Sequence, residues 1–427
     1  MFGERHDAPT TFGYLGLVAR YGGMVKVYGF FGDEQLYISD PHALHRILIK
    51  DQDAYEETSV FVEYVRGNFG SACPDRDIHK RQRRLVQPIF SPSNLRDLVP
   101  VFYAVAERLS DVLGREIRSR PDSGGSRVLD MSEWLSRAAL ESAGQAILGY
   151  SFDPLDSPVN NPYTNAVREL IPTIFSLSLV CQFAPFLVRL GPPWLRHKIV
   201  EWTPNDAVQR RRVTILSDAR TGLLSEMQEN TEMETRSKDV ISLLLRANQS
   251  TSDAEQLRDA DEMIFGAQDT TASALSRIVY MLSIRPDVQE KVRAEIQAAH
   301  INPSWEDRLS WSWEAISAPP MLEAVLQETL RLATAESTLP FTSISGIASS
   351  VIVPQGTTLF VGITGANRLK SAWGADAENW KAERARRHLL SFIGGGRSCD
   401  GYKFVQIEIK TTLDDIVWNM SQIISRP

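Results

Sequence analysis

The chain has 427 residues, 43% hydrophobic and 23% charged, an ordinary globular composition with ample material for a large core. A formal net charge of −7 argues against a general nucleic-acid binder. Three cysteines, Cys73, Cys181 and Cys399, cannot build a disulfide framework and read as thiols of a reducing compartment; no CxxC pair or Cys/His cluster suggests zinc.

Met1 to Thr11 is polar and lacks the pattern of a signal peptide. Met24 to Ser39 alternates around Gly32-Asp33 and predicts a β-hairpin. Asp40-Pro41 starts a short helix with Leu44, Ile47 and Leu48 on one face. Asp53 to Pro74 reads as loop, and His79 to Val86 opens a basic helix. Leu129 to Gln228 is mostly helical, broken at Pro154–Pro162 and at Gly191-Pro192-Pro193. Within it, Ile171 to Val188 carries no formal charge, but Pro172, Gln182 and Pro185 interrupt it. This predicts a broken segment that is buried or lies in a membrane interface, not a span.

After a polar connection at Glu226–Asp239, Asp253 to Ser283 predicts one long helix. Leu257, Ile264, Thr271, Leu275, Ile278 and Leu282 form its inner stripe. Arg285-Pro286 ends it and starts the next helix, Asp287 to Ala299. Met321 to Leu332 follows, with Leu322, Val325, Leu326 and Leu330 inward. Val351 to Val361 is strand-like around Pro354-Gln-Gly356, and Tyr402 to Ile423 is the last helix. The pattern is mainly α with a small β part. Length alone allows two or three domains.

The segment Phe392-Ile-Gly-Gly395-Gly-Arg397-Ser-Cys399-Asp-Gly401 places one thiol in a glycine-rich loop ahead of that helix. Glycines let backbone approach something flat and bulky. The helix N-terminus favours a thiolate, which suits metal ligation. The bland alternative is a structural Cys399 beside a flexible glycine loop. Gly266-Ala267-Gln-Asp269-Thr270-Thr271 interrupts the long helix with residues that lower helix propensity. A groove there, widened by a threonine hydroxyl bonded to the preceding turn, fits either a site or a close helix crossing. Glu328 and Arg331 sit at i and i+3, where a surface pair would be worth little. His79 and Arg83 share a helix face four residues apart, which a solvated basic helix would also show.

Together these motifs resemble the cytochrome P450 family, in the family's own order along the chain. The spacing Phe-x-x-Gly-x-Arg-x-Cys-x-Gly is similar to the haem-binding loop, and Gly266–Thr271 to the oxygen-binding helix, with Ala267 in place of the usual second glycine. Pro320 to Leu332 resembles the helix carrying the family's buried Glu/Arg pair, here Glu328 and Arg331. Tyr28 to Tyr55 and Val361 to Arg368 resemble fungal microsomal members in particular.

The resemblance implies a single P450 domain over 1–427 and haem b bound through the Cys399 thiolate. Phe392, Gly395 and Gly401 would shape the loop, and His79, Arg83 and Arg397 would meet the propionates. Thr270 would bind dioxygen and Asp269 would feed it protons. Phe61, Ile264 and Ala267 would touch substrate, as would Val62 and Val65. Phe175 to Phe186 would form a membrane-contacting lid.

The implied activity is monooxygenation of a hydrophobic secondary metabolite or xenobiotic by a monomer. Electrons would come from NADPH through cytochrome P450 reductase, at the cytosolic face of the endoplasmic reticulum with peripheral membrane contact. Basic clusters at Lys80, Arg81 and Arg84 and at Lys381, Arg384, Arg386 and Arg387 would receive that acidic donor.

Four departures from the family pattern accompany the resemblance: no N-terminal anchor, no Pro-Pro-containing stretch after Arg331-Leu332, Ala382-Glu-Arg384 in place of Pro-Glu-Arg, and no terminal β-hairpin. They fit a truncated gene model, or a degenerate haem binder without turnover. A haem-free thiol enzyme would need a base such as His388.

Overall fold

The computed structural model describes residues 9–29, 32–58, 62, 79–80, 83–84, 87–88, 90–118, 128–149, 151–152, 155–156, 253–300, 319–333, 338–343, 353–384 and 389–419. The chain divides into two units, one of Met1–Val62 with Pro320–Tyr402, the other of Glu63–Pro319 with Lys403–Pro427.

The first unit carries the sheet. Helix α1 (Pro9–Tyr21) precedes a hairpin of β1 (Met24–Tyr28) and β2 (Glu34–Ile38), antiparallel with Met24 opposite Ile38. Gly32 turns it at φ 79°, its N–H donating to the Gly29 carbonyl at 3.0 Å. Asp40 then caps α2 (Pro41–His45) by accepting from the Ala43 N–H at 2.9 Å, with Pro41 in the first turn. A π turn (Arg46–Lys50) and a 3₁₀ turn (Gln52–Ala54) lead into β3 (Tyr55–Glu57), a strand where the sequence predicts loop.

β5 (Thr358–Gly362) pairs parallel with β2 and antiparallel with β4 (Thr338–Ser343), which pairs with β3, giving the order β1-β2-β5-β4-β3. In the described part of the strand-like stretch expected from Val351 to Val361, β5 follows a turn at Gly356 (φ 84°) closed by the Thr357 N–H on the Pro354 carbonyl at 3.2 Å, and Val351 and Ile352 lie outside the described residues. Ile38, Leu44, Ile47, Leu48, Tyr55, Leu359, Val361 and Ile363 form the core beneath this sheet, with Leu390 and Ile393 packed against it. Helix α7 (Pro320–Ala333) buries Leu322, Val325 and Leu326, while Leu330 is half-buried; short α8 (Ile363–Arg368) and α9 (Lys370–Trp373) follow β5.

The second unit is helical among its described residues. α3 (Pro92–Arg118) runs 27 residues through Pro100 and buries Leu95, Val99, Phe102, Leu109 and Leu113. Asp130 caps α4 (Met131–Ala143) by accepting from the Ser132 N–H at 3.0 Å. α5 (Asp253–Ser283) and α6 (Pro286–His300) meet at Arg285-Pro286 as predicted, and Thr271, Leu275, Ile278 and Leu282 are buried along α5. α10 (Tyr402–Asn419) is buried almost all round from Phe404 to Val417, Phe404 meeting the Phe102 ring edge-on at 5.0 Å. Among the described residues, no helix is long and apolar enough to cross a membrane. The observed architecture is mainly α with a small sheet.

Candidate functional site

The cysteine loop is built by backbone. The Ile393 N–H donates to the Leu390 carbonyl at 2.8 Å, Ser398 N–H to the Gly395 carbonyl at 3.1 Å, and Cys399 N–H to the Phe392 carbonyl at 2.9 Å. These bonds close the loop and present an exposed Cys399 side chain three residues before α10. Phe392 packs edge-on to Tyr402 at 4.6 Å, steadying the base of the loop. Ile393 holds φ 56°, a strained position for a β-branched residue.

Gly395 is glycine for a reason the sequence does not reveal. It has φ 70°, and a Cβ there would lie 1.8 Å from the Leu48 carbonyl oxygen. The close approach at Gly395 is to the protein's own backbone. Gly401 is half-buried in the turn that opens α10.

Behind the loop, Glu328 and Arg331 form a bidentate pair, Arg331 Nε to Glu328 Oε2 and Nη2 to Oε1, both at 2.8 Å. Arg331 is 1% exposed and also donates to the carbonyls of Asn367 at 2.7 Å, Ala377 at 2.6 Å and Asn379 at 3.3 Å. Its guanidinium lies over the Trp373 ring at 5.0 Å. The same carboxylate accepts from the Lys381 N–H at 2.9 Å and from Arg384 Nε at 3.0 Å. Arg384 reaches on to the carbonyls of Trp373, Asp376 and Asn379.

This corrects the expectation that Arg384 belongs to a docking face: its side chain is only 10% exposed and serves the buried network. Lys381 remains exposed and pairs with Asp376, whose carboxyl is pulled down to about 2 by Lys381 first and Arg384 second. The signal for Arg384 was present in Ala382-Glu-Arg384, but nothing local shows that its partner lies on α7.

Two further bonds tie this scaffold to the loop. The Asn367 side chain accepts from the Leu390 N–H at 2.9 Å, and the Ser391 hydroxyl donates to the Leu330 carbonyl at 2.8 Å. Arg397 donates to Glu57 at 2.6 Å, a partner not anticipated from sequence.

In the second unit, α5 carries the Gly-Ala step on an open face. Gly266 is exposed, and an added Cβ would meet nothing within 4 Å. The exposed Thr270 hydroxyl donates to the Gly266 carbonyl at 2.6 Å, the back-bond that widens a helix groove. Asp269 is partly buried, and burial pushes its carboxyl up. Gln268 turns inward to donate to the Ser136 hydroxyl of α4 at 3.4 Å. Ala267 is half-buried. Elsewhere in this unit His79 and Arg83 are both helical and half-buried, while Lys80 and Arg84 beside them are exposed, as the four-residue spacing requires. Phe61, Val65, Cys73, Arg81, Cys181, Arg386, Arg387, His388 and the segment 171–188 lie outside the described residues, as do the side chain of Ile264 and residues 334–337.

A family model for cytochrome P450 matches residues 15–422. The chain belongs to the cytochrome P450 family. It is 34% identical to cytochrome P450 monooxygenase 91 of Postia placenta over 470 aligned positions, covering 96% of this chain and 85% of the relative. About 410 of the 427 residues therefore align over 470 positions, so about 60 positions of that relative face gaps here. Identity is 33% to monooxygenase 219 of the same fungus (93% of this chain, 81% of the relative) and 32% to a ganoderic acid synthetase of Ganoderma lucidum (92% and 80%).

The protein is thus a P450 monooxygenase. Its cofactor is haem with an axial cysteine thiolate, and its reaction takes dioxygen, a lipophilic substrate and a redox partner. The described residues fit that group on two separate counts: an exposed thiol on a closed loop, and a helix groove with open space before Gly266.

Proposed function

We propose that Cys399 is the axial ligand and that the chain is one P450 domain over 1–427, acting as a monomer. It oxygenates a hydrophobic secondary metabolite or xenobiotic with electrons from NADPH, delivered by cytochrome P450 reductase. The observation that carries this reading is the exposed Cys399 thiol on a loop closed by its own backbone bonds and braced through Leu390 and Ser391 by the Glu328–Arg331 scaffold.

When bound, haem supplies dioxygen activation and the oxidising power for C–H bonds, which no side chain can supply. The protein's residues do the rest. Arg397 and Arg83 present positive charge to the propionates, and His79 a ring N–H donor. Asp269 holds and releases a proton, a role favoured by the burial that raises its carboxyl toward working pH. Thr270 commits its own proton to the Gly266 carbonyl, so its oxygen is left to accept a hydrogen bond. Ala267 lines the substrate side. Exposed Lys80 and Arg84 steer an acidic electron donor. The working place is the cytosolic face of the endoplasmic reticulum, with the apolar 171–188 segment touching the membrane.

The degenerate-binder reading is not favoured, because the described scaffold behind the loop keeps the bidentate Glu328–Arg331 pair and its Arg384 partner. The test is Cys399→Ser. Wild type, reduced under carbon monoxide, should show the thiolate-haem Soret band and oxidise hydrophobic compounds with a reductase present. The variant should lose both. An unchanged band and turnover in Cys399→Ser would remove the assignment.

A further inference from the structure

Three consecutive residues of the cysteine loop are held by one short stretch, Leu48 to Glu57. The Leu48 carbonyl occupies the place of a Cβ at Gly395. The Gln52 side chain accepts from the Gly396 N–H at 3.0 Å. Glu57 Oε2 accepts from Arg397 Nη2 at 2.6 Å, with the Glu57 side chain 8% exposed and that of Arg397 23%.

These contacts differ in kind, yet all originate from a rigid base. Leu48 is buried in the core, and Glu57 ends β3, whose backbone is registered against Phe341 of β4. A charge pair anchored on a strand fixes the plane and direction of a guanidinium better than a loop partner could.

We propose that the Leu48–Glu57 segment seats the cysteine loop and that Glu57 is the positioning residue for Arg397. This rests on the reading of Arg397 as a propionate partner. Glu57 orients the guanidinium and also offsets part of its charge. An orienting role predicts that loss of the carboxylate loosens Arg397. An electrostatic role predicts that neutralising Glu57 while keeping its shape makes the haem easier to reduce, because a nearby negative charge is gone.

Two variants separate the effects. Glu57→Ala should release haem to an apomyoglobin acceptor about tenfold faster than wild type, the scale set by one charge-assisted hydrogen bond. In its haem-free form, amide exchange of residues 395–399 should also be faster. Glu57→Gln keeps an acceptor for Arg397 and should retain haem within about threefold of wild type, while its midpoint potential shifts upward.

Unchanged loop exchange in apo Glu57→Ala, or an unshifted potential in Glu57→Gln, would overturn the proposal. The exchange experiment uses no haem. A wild type that shows no thiolate-haem band therefore counts against the haem-thiolate reading, and with it the role of Arg397, separately from the seating of the loop.

Discussion

Arg331, 1% exposed, commits its guanidinium to one carboxylate and three backbone carbonyls. Gln268 and Thr271 on α5 are just as buried, yet Gln268 Oε1 and Thr271 Oγ1 have no protein partner among the described residues. An unsatisfied buried polar atom costs about 1–3 kcal/mol. The contrast teaches where each region's work lies. The Glu328 network is closed and serves the fold. The Gly266–Thr271 stretch keeps polar atoms and an open groove at the expense of local stability, which is the pattern expected if, as proposed, it serves the reaction rather than the fold.

The contrast can be broken most forcefully at Arg331. Arg331→Ala leaves Glu328 with only Arg384 and the Lys381 N–H and removes the Arg331 donors from the Asn367 and Ala377 carbonyls, and should destabilise the fold by about 3–5 kcal/mol in chemical denaturation, or prevent soluble expression. A loss under about 1 kcal/mol would mean that the network is ornamental.

Asp415 on α10 offers a smaller test in the other unit. Burial pushes its carboxyl up to about 6, against hydrogen bonds from Ser110 and Asn419, with Glu107 and Asp414 adding to the rise. A folded-state value above the unfolded one means that its contribution is fully present below about pH 4 and is lost as pH rises through about 6. Asp415→Asn should therefore flatten stability between those values and raise it near neutrality by about 2–3 kcal/mol. A variant whose melting curve keeps the wild-type pH dependence would show that Asp415 is not the group responsible.

The smallest effect on stability and the sharpest on function belong to Asp269. Asp269→Asn keeps shape and removes a proton carrier. It should change stability by less than about 1 kcal/mol while turnover falls about a hundredfold or more. Equal losses in both would place Asp269 with the scaffold instead.

Much of this was legible beforehand where the signal is local. The inner stripe of α5 and the break at Arg285-Pro286 set that helix's limits, and Asp40-Pro41 announced α2. Elements whose logic is distant were not. β4 contains Pro340, which argues against a strand in sequence, and its place between β5 and β3 is set by partners far along the chain. α3 carries Pro100, which reads as a stop, yet the apolar face from Leu95 to Leu113 holds it helical.

The same division runs through the site. Cys399, Asp269 and Thr270 stand out because their residue types are chemically unusual where they occur. Arg384 and Glu57 are ordinary charged residues whose importance comes only from Glu328 and Arg397, brought to them by folding.

The contact between Gly395 and the Leu48 carbonyl bears on how such enzymes could be recombined in the laboratory. A chimera with a single crossover between residues 58 and 389 takes the haem loop from one parent and its bed from another. Such hybrids should hold haem as firmly as their parents only when the bed keeps acceptors at positions 52 and 57 and carries the residue-48 carbonyl to the same place, so library crossovers are better made in pairs that keep both stretches from one source.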